Sequence, residues 1–517
     1  MIPVFFLLTL LSCQQTNQQQ QAVIKGKSYY LTASGNDAGD GSKDNPWKTI
    51  GQLNNVQLHA GDTVYFKAGE MFQGNLIIDS FDRGNALNPV VITSYGGTGN
   101  AIIDAGNNTA LTLNNTSFIS VKHLNLTGAG RKQGNTKDGL FINHSHNITV
   151  DSIDVQGFQK SGLLIYISSG VHVTNVTAHD NGFAGICVAG EQSKNDCRNI
   201  YIGYCKAENN PGDPTNLNNH SGNGIIVGLC RNVTIEYSTA TNNGWDMPRK
   251  GNGPVGIWCY EADSVTIQNC ISYRNRTSPG SADGGGYDFD GGTTNSTIQY
   301  CLSYENEGSA FGLFQYAGAS NWYNNTVRFC ISENDGTTSE AQAGVFIWNS
   351  SRDTAQLKNC YFYNNTIYND KGAAIKYAAE SENSGFNFYN NIFVAKDELI
   401  TGIETNASFL GNNWWSLATN KFNDDGITSF ESWAHQKGKE QLNSKIAGFN
   451  TDPHFRDPGH ANITDPLQLK SFFNYSLTKN SVLKNNGLDL QALFNIYNNK
   501  KDFNQQTIAA NGIGACL

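Results

Sequence analysis

Apolar and polar positions recur along the middle of the chain with a long period. One unit reads Val265-Thr266-Ile267-Gln268-Asn269-Cys270-Ile271-Ser272-Tyr273-Arg274-Asn275. The next reads Ser296-Thr297-Ile298-Gln299-Tyr300-Cys301-Leu302-Ser303-Tyr304-Glu305-Asn306. Apolar residues alternate with polar ones inside each unit, which predicts short half-buried strands. Alignment on the cysteine gives a column: Leu124, Ile153, Val176, Cys205, Ser238, Cys270, Cys301, Cys330, Cys360 and Ile392. The spacing is roughly 23–33 residues, the range of one solenoid coil. Five residues further on runs a second column: Asn181, Asn210, Asn243, Asn275, Asn306, Asp335 and Asn365. Asn tolerates left-handed backbone, and stacked Asn side chains can hydrogen-bond along a ladder.

A second strand follows in each unit, of the form Gly-h-x-h-x with h apolar: Gly162 to Tyr166, Gly185 to Ala189, Gly224 to Gly228, Gly256 to Tyr260, Gly286 to Asp290, Gly312 to Tyr316 and Gly344 to Trp348. The segments before these strands vary most in length, so their loops overhang one face and form a groove. Stacked about 4.8 Å apart, the outward positions align as Trp258 and Tyr260, Asp288 and Asp290, Phe314 and Tyr316, Phe346 and Trp348.

The stretch Asp283-Gly284-Gly285-Gly286-Tyr287-Asp288-Phe289-Asp290-Gly291-Gly292 concentrates the chemistry. As a strand it alternates, with Tyr287 and Phe289 on one side and Asp288 and Asp290 on the other. Paired acids on one face are costly unless a proton or a cation sits there. Aromatic neighbours suit sugar faces, and acids suit sugar hydroxyls. Trp258, Phe314, Tyr316, Trp348, Glu261 and Arg276 are the candidate substrate contacts. His220, Lys250 and Tyr260 stand near enough to carry protons, His220 first because its ordinary pKa is near neutral.

The chain has 517 residues, 54 of them Gly, with 15% charged residues and a net charge of −9. That balance and the lack of any basic run exclude nucleic acid as a partner. Residues Met1 to Ser12 are apolar and lead to Cys13, a pattern that resembles a bacterial lipoprotein signal. The Gln-rich residues to Gln21 then form a tether. The expectation is an exported monomer, in the periplasm or on the cell surface, attached to the outer membrane through lipidated Cys13; no later stretch is long and apolar enough to span a membrane. The remaining ten cysteines show no zinc spacing and read as stacked free thiols.

Residues 28–110 read as an N-terminal cap with the first coils, 111–395 as repeats, and 396–517 as a C-terminal capping region with a helix from Ser429 to Lys439. The opening Tyr29-Tyr30-Leu31-Thr32-Ala33-Ser34-Gly35, the closing Gly512-Ile513-Gly514-Ala515, the coils and the acid cluster together resemble the pectate-lyase-like superfamily. They are most similar to secreted right-handed parallel β-helix proteins such as polysaccharide lyase families six and nine. The resemblance implies an all-β right-handed parallel β-helix acting on poly- or oligosaccharides, and a calcium ion held by Asp283, Asp288 and Asp290.

Three functions fit these residues. The leading one is a lyase performing β-elimination on a uronate-containing glycan, or expelling water instead of a sugar, with Asp288, Asp290, His220, Lys250 or Tyr260 moving protons. The second is a glycoside hydrolase using paired Asp residues. Positions i and i+2 on a strand lie about 6.6 Å apart, at the edge of the roughly 6.5–9.5 Å of inverting glycosidases. The third is a non-catalytic glycan-binding surface protein.

Overall fold

The computed structural model describes residues 25–337, 343–378, 382–404, 406–419, 422–424, 426–496 and 500–517. The Cys13 expectation lies outside them. The chain winds as a right-handed parallel β-helix, the hand that twisted parallel strands impose on their connections. Three ladders of parallel strands run its length. The first starts at Ser28–Leu31 and ends at Ser408–Leu410. The second runs from Met71–Gln73 to Asn413–Ser416, and the third from Leu76–Ile78 to Ile400–Thr401. Each strand pairs with its counterpart one coil on, so inward residues stack into files. In the third ladder, Ile225, Ile257, Tyr287, Phe311, Val345 and Ile375 form one such file, all fully buried.

The expected asparagine column is a hydrogen-bonded ladder inside the corner that follows the second ladder. From Asn181 to Asn306, each backbone N–H and side-chain amide donates to the Oδ1 of the next member, and the file ends on Asp335. The left-handed residue is the one before: Asp180, Asn209, Asn242, Arg274, Glu305 and Asn334 all have φ between 51° and 55°. Asn365 belongs elsewhere. It continues the cysteine file, because Ile331 pairs with Thr366 and therefore Cys330 faces Asn365. There a second amide ladder begins, Cys330 to Asn365 to Asn391 to Asn412, closing on buried Glu440. Cys360 sits instead in the first ladder, paired with Asn325 and Phe386, and Ile392 pairs with Thr366 one place along. The ten described cysteines are buried and free.

The end of the helix is closed by the α-helix Phe430–Lys437, capped by Ser429 and stopped by Gly438 at φ 64°. Its Trp433 packs on Trp414 and Phe422. The chain after Asn450 returns along the outside, covering the second ladder around Tyr304 and Ile331. Buried Glu333 fixes this strap by accepting from Tyr475 Oη (2.7 Å) and Ala461 N (2.9 Å). The strap lies away from the outer face of the third ladder, where the acids are.

The amide ladder can be tested directly. Asn275→Ala removes the oxygen that accepts from Asn243 N and Nδ2 and the amide that donates to Ala240 O, Ser272 Oγ and Asn306 Oδ1. It should lower stability in urea unfolding by about 3 kcal/mol or more. Asn242→Gly, which keeps the left-handed corner but removes an exposed amide, should change it by under about 0.5 kcal/mol.

Candidate active site

Four consecutive rungs of the third ladder build the site. Ile257 pairs with Tyr287 and Trp258 with Asp288, and on the next rung Tyr287 pairs with Phe311 and Asp288 with Gly312. Gly312 then pairs with Phe346 and Phe314 with Trp348. Tyr287 and Phe289 are fully buried in the core, which turns Asp288 and Asp290 outward as the alternation predicts. The register differs from the expected one by two residues: Phe314 stands above Asp290, and the position above Asp288 is a glycine. A Cβ on Gly312 would lie 2.8 Å from the Phe314 ring and 2.9 Å from Asp288 Oδ1. Only glycine leaves that space open.

A cavity of about 810 Å³ lies over these rungs. Its floor is the outer face of the ladder, with Trp258 and Tyr260, Asp288 and Asp290, Phe314 and Tyr316, and Phe346 and Trp348 on successive strands, and Phe183, Asn219 and His220 also line it. Its roof is the Gly251–Gly253 loop with Ala282 and Asp283. Asp283, at φ 62°, accepts from Gly253 N at 2.7 Å and so ties the roof together. Phe314 packs edge-on against both Phe346 (5.3 Å) and Trp348 (6.1 Å).

Asp288 is 3% exposed, and its Oδ1 is buried with no hydrogen-bond partner from the protein. Burial first, and then the negative charges of Asp290 and Asp283, hold its carboxyl well above the usual carboxylate range. Burial, with Asp283 and Glu261 adding to it, pushes Asp290 up to about 7. The two carboxyls titrate as a pair, and Asp288, with no hydrogen bond on its Oδ1, is the one that burial holds higher. Burial also raises the Tyr260 and Tyr316 hydroxyls. His220 goes the other way: burial and the neighbouring Arg249 push it down to about 4, so its ring is neutral rather than a proton carrier poised near pH 7.

The structure brings Asp283, Asp288, Asp290, His220, Trp258, Tyr260, Phe314, Tyr316 and Trp348 to one cavity and leaves three candidates outside it. Lys250 is exposed, its side chain running past Gly280. Arg276 is paired with Glu307 at 3.2 Å on the surface. Glu261 accepts from Ser320 N (2.7 Å) and Oγ, fastening a turn beyond Asp290 instead of facing substrate. The calcium set does not form either: among the described residues no three His, Cys, Asp or Glu side chains converge as metal ligands. Asp283 is committed to the roof loop and Asp288 is pressed between Trp258 and Gly312. Phe183, Asn219, Asn252 and Gly312 escaped the sequence reading. Asn219 and Asn252 lie in loops whose path the repeat does not set, and Gly312 required the true register.

Comparison with known proteins agrees with this architecture. The right handed beta helix region family matches residues 138–278 and 213–393. A lacto-N-biosidase of Bifidobacterium longum subsp. longum is 25% identical over 495 residues, covering 74% of this chain and 30% of that protein. The chain thus spans less than a third of that relative's length. The crystal structure of a GH136 lacto-N-biosidase from Eubacterium ramulus overlays with a TM-score of 0.51 at 17% identity, over 73% of this chain and 68% of the other. Pectate lyase Pel9A gives a TM-score of 0.47 at 15% identity, over 95% and 96%. The fold class is the right-handed β-helix.

A buried carboxyl held in its protonated form makes folding compete with ionisation. Unfolded, Asp288 ionises near pH 4; folded, it keeps its proton, so its contribution to stability falls as pH rises above that value. Asp288→Asn removes this penalty. The variant should be more stable than wild type by about 1 kcal/mol or more at pH 8, and the gain should shrink toward pH 4 in urea unfolding. A loss of stability at pH 8 would contradict the described burial.

Proposed function

We propose that this chain is a glycoside hydrolase acting on an oligosaccharide, with Asp288 as the general acid and Asp290 as its carboxylate partner. The observation that carries this reading is the buried Asp288, its Oδ1 without a partner and its carboxyl held well above the usual range, in an aromatic-lined cavity beside a second acid raised to about 7. Glycoside hydrolysis asks for such a pair, one carboxyl protonated to release the leaving oxygen and one ionised to act as base or nucleophile. Asp288 would donate its proton to the glycosidic oxygen as the bond to the anomeric carbon breaks. Ionised Asp290 would stabilise the positive charge that develops on the sugar, and either activate water or bond to that carbon. Tyr260, Tyr316 and Trp348, the partly exposed rings of the lining, offer faces against which sugar rings can stack, while Trp258 and Phe346 are buried beneath them.

The likeness to lacto-N-biosidases supports an oligosaccharide over a polyuronate. So does the charge of the cavity. A uronate carboxylate would meet Asp283 and Asp290 with no cation among the described residues that line the space, since Arg276 is paired outside it and Arg249 turns its guanidinium to Asn252 O. The lyase reading needs that carboxylate neutralised, and the residues present do not supply the means.

The test is a panel of neutral oligosaccharides, including lacto-N-biosidase substrates, beside uronate polymers. New reducing ends without the ultraviolet absorbance of unsaturated uronates are expected. Asp288→Asn and Asp290→Asn should each lower kcat/KM by about 10²–10⁴-fold. In the wild type, kcat/KM should rise as Asp290 ionises around pH 7 and fall at higher pH as Asp288 loses its proton. Absorbance without hydrolysis, or full activity of Asp288→Asn, would defeat the proposal.

A further inference from the structure

Three side chains beside the acids form a one-way chain of hydrogen bonds. Trp258 Nε1–H can only donate, and it donates to Asn223 Oδ1 at 3.1 Å. Val255 N donates to the same oxygen at 3.4 Å. The amide nitrogen of Asn223 must then point the other way, where it donates to Phe183 O at 3.1 Å and to His220 Nδ1, also at 3.1 Å. With Nδ1 accepting, the proton of a neutral imidazole sits on Nε2. The ring is 8% exposed, packed edge-on against Trp258 at 4.9 Å and lying 5.9 Å from Phe183, and it lines the cavity. Its backbone is fixed as well: His220 N donates to Asn219 Oδ1 (2.9 Å), and Asn216 Nδ2 donates to His220 O (3.2 Å).

We infer that His220 is a fixed hydrogen-bond donor to an uncharged acceptor oxygen of the bound sugar, its donating nitrogen set by Trp258 through Asn223. This rests on the oligosaccharide reading above. Trp258 pairs rung to rung with Asp288, so the buried indole packed beside the acid also sets the imidazole that orients the sugar. Burial first, and then the charge of Arg249, push the ring toward its neutral form, against the hydrogen bond from Asn223. His220 therefore binds without exchanging protons, and proton transfer is left to Asp288 and Asp290. The ligand group it selects is a hydroxyl or an amide carbonyl; an ammonium group has no lone pair for it.

Two measurements decide this. Ring ¹⁵N resonances of the wild-type protein should show His220 as the neutral Nε2–H form from about pH 5 to 8, and Asn223→Asp, which can only accept, should move the proton to Nδ1. An imidazolium at pH 6, or an Nδ1–H wild type, overturns the inference. In hydrolysis of the best substrate, His220→Leu should lose about tenfold in kcat/KM, carried by KM, with kcat and both limbs of the pH profile unmoved. His220→Gln, which keeps a donor, should recover most of it. A fall in kcat with a shifted pH limb would make His220 a proton carrier and overturn the inference. If the wild type cleaves no oligosaccharide, the hydrolase reading falls, and the ring spectrum still decides the state of His220.

Discussion

Parallel pairing between successive coils is the constraint on which everything else depends. Hydrogen bonds from Val255–Cys259 to Gly285–Phe289, and from there to Phe311–Leu313, fix each outward side chain to one height and one column. The inward side chains lock the phase. Tyr287 and Phe289 fill the core, Tyr287 stacked on Phe311 at 5.8 Å. A slip of one residue would put two carboxylates in that core and two rings in solvent, a change no local adjustment could offset. The acids stand together because the aromatic residues between them have nowhere else to go.

That placement carries a cost that the scaffold absorbs. Asp288 is buried without a partner, close to Asp290 and Asp283, and the fold tolerates it because long continuous ladders hold the rungs on either side. The thiol file and the two amide ladders satisfy the backbone at the corners, ending on Asp335 and Glu440. Both of these acids are buried and raised to about 7. Their roles differ from that of Asp288, since each accepts several hydrogen bonds from ladder amides. Asp288 Oδ1 accepts none, and Asp288 lines the cavity. Among these three buried acids, the missing hydrogen bonds set Asp288 apart from the two that close the ladders.

Much of this was legible in the chain itself. The coil period, the alternation that turns Asp288 and Asp290 outward, the aromatic flanks and the helix near Ser429 follow from local rules that stacking preserves. Register across coils of unequal length did not follow. The expected columns failed at Cys360 and Asn365, and Phe314 was placed above the wrong acid, because the loops between strands vary in length. The charged candidates failed for another reason: Arg276 and Glu261 take partners, Glu307 and Ser320, that only the folded chain brings near. The hydrogen-bonding state of His220 depends on Trp258, which lies 38 positions away and one rung over. A reading of sequence neighbours has no access to it.

As the acid of this site, Asp288 must sit in the cavity as an uncharged carboxylic acid at neutral pH. A difference infrared spectrum between wild type and Asp288→Asn at pH 7 tests it most directly. A protonated carboxyl carbonyl band that disappears in the variant is expected. Loss of carboxylate bands alone would contradict it.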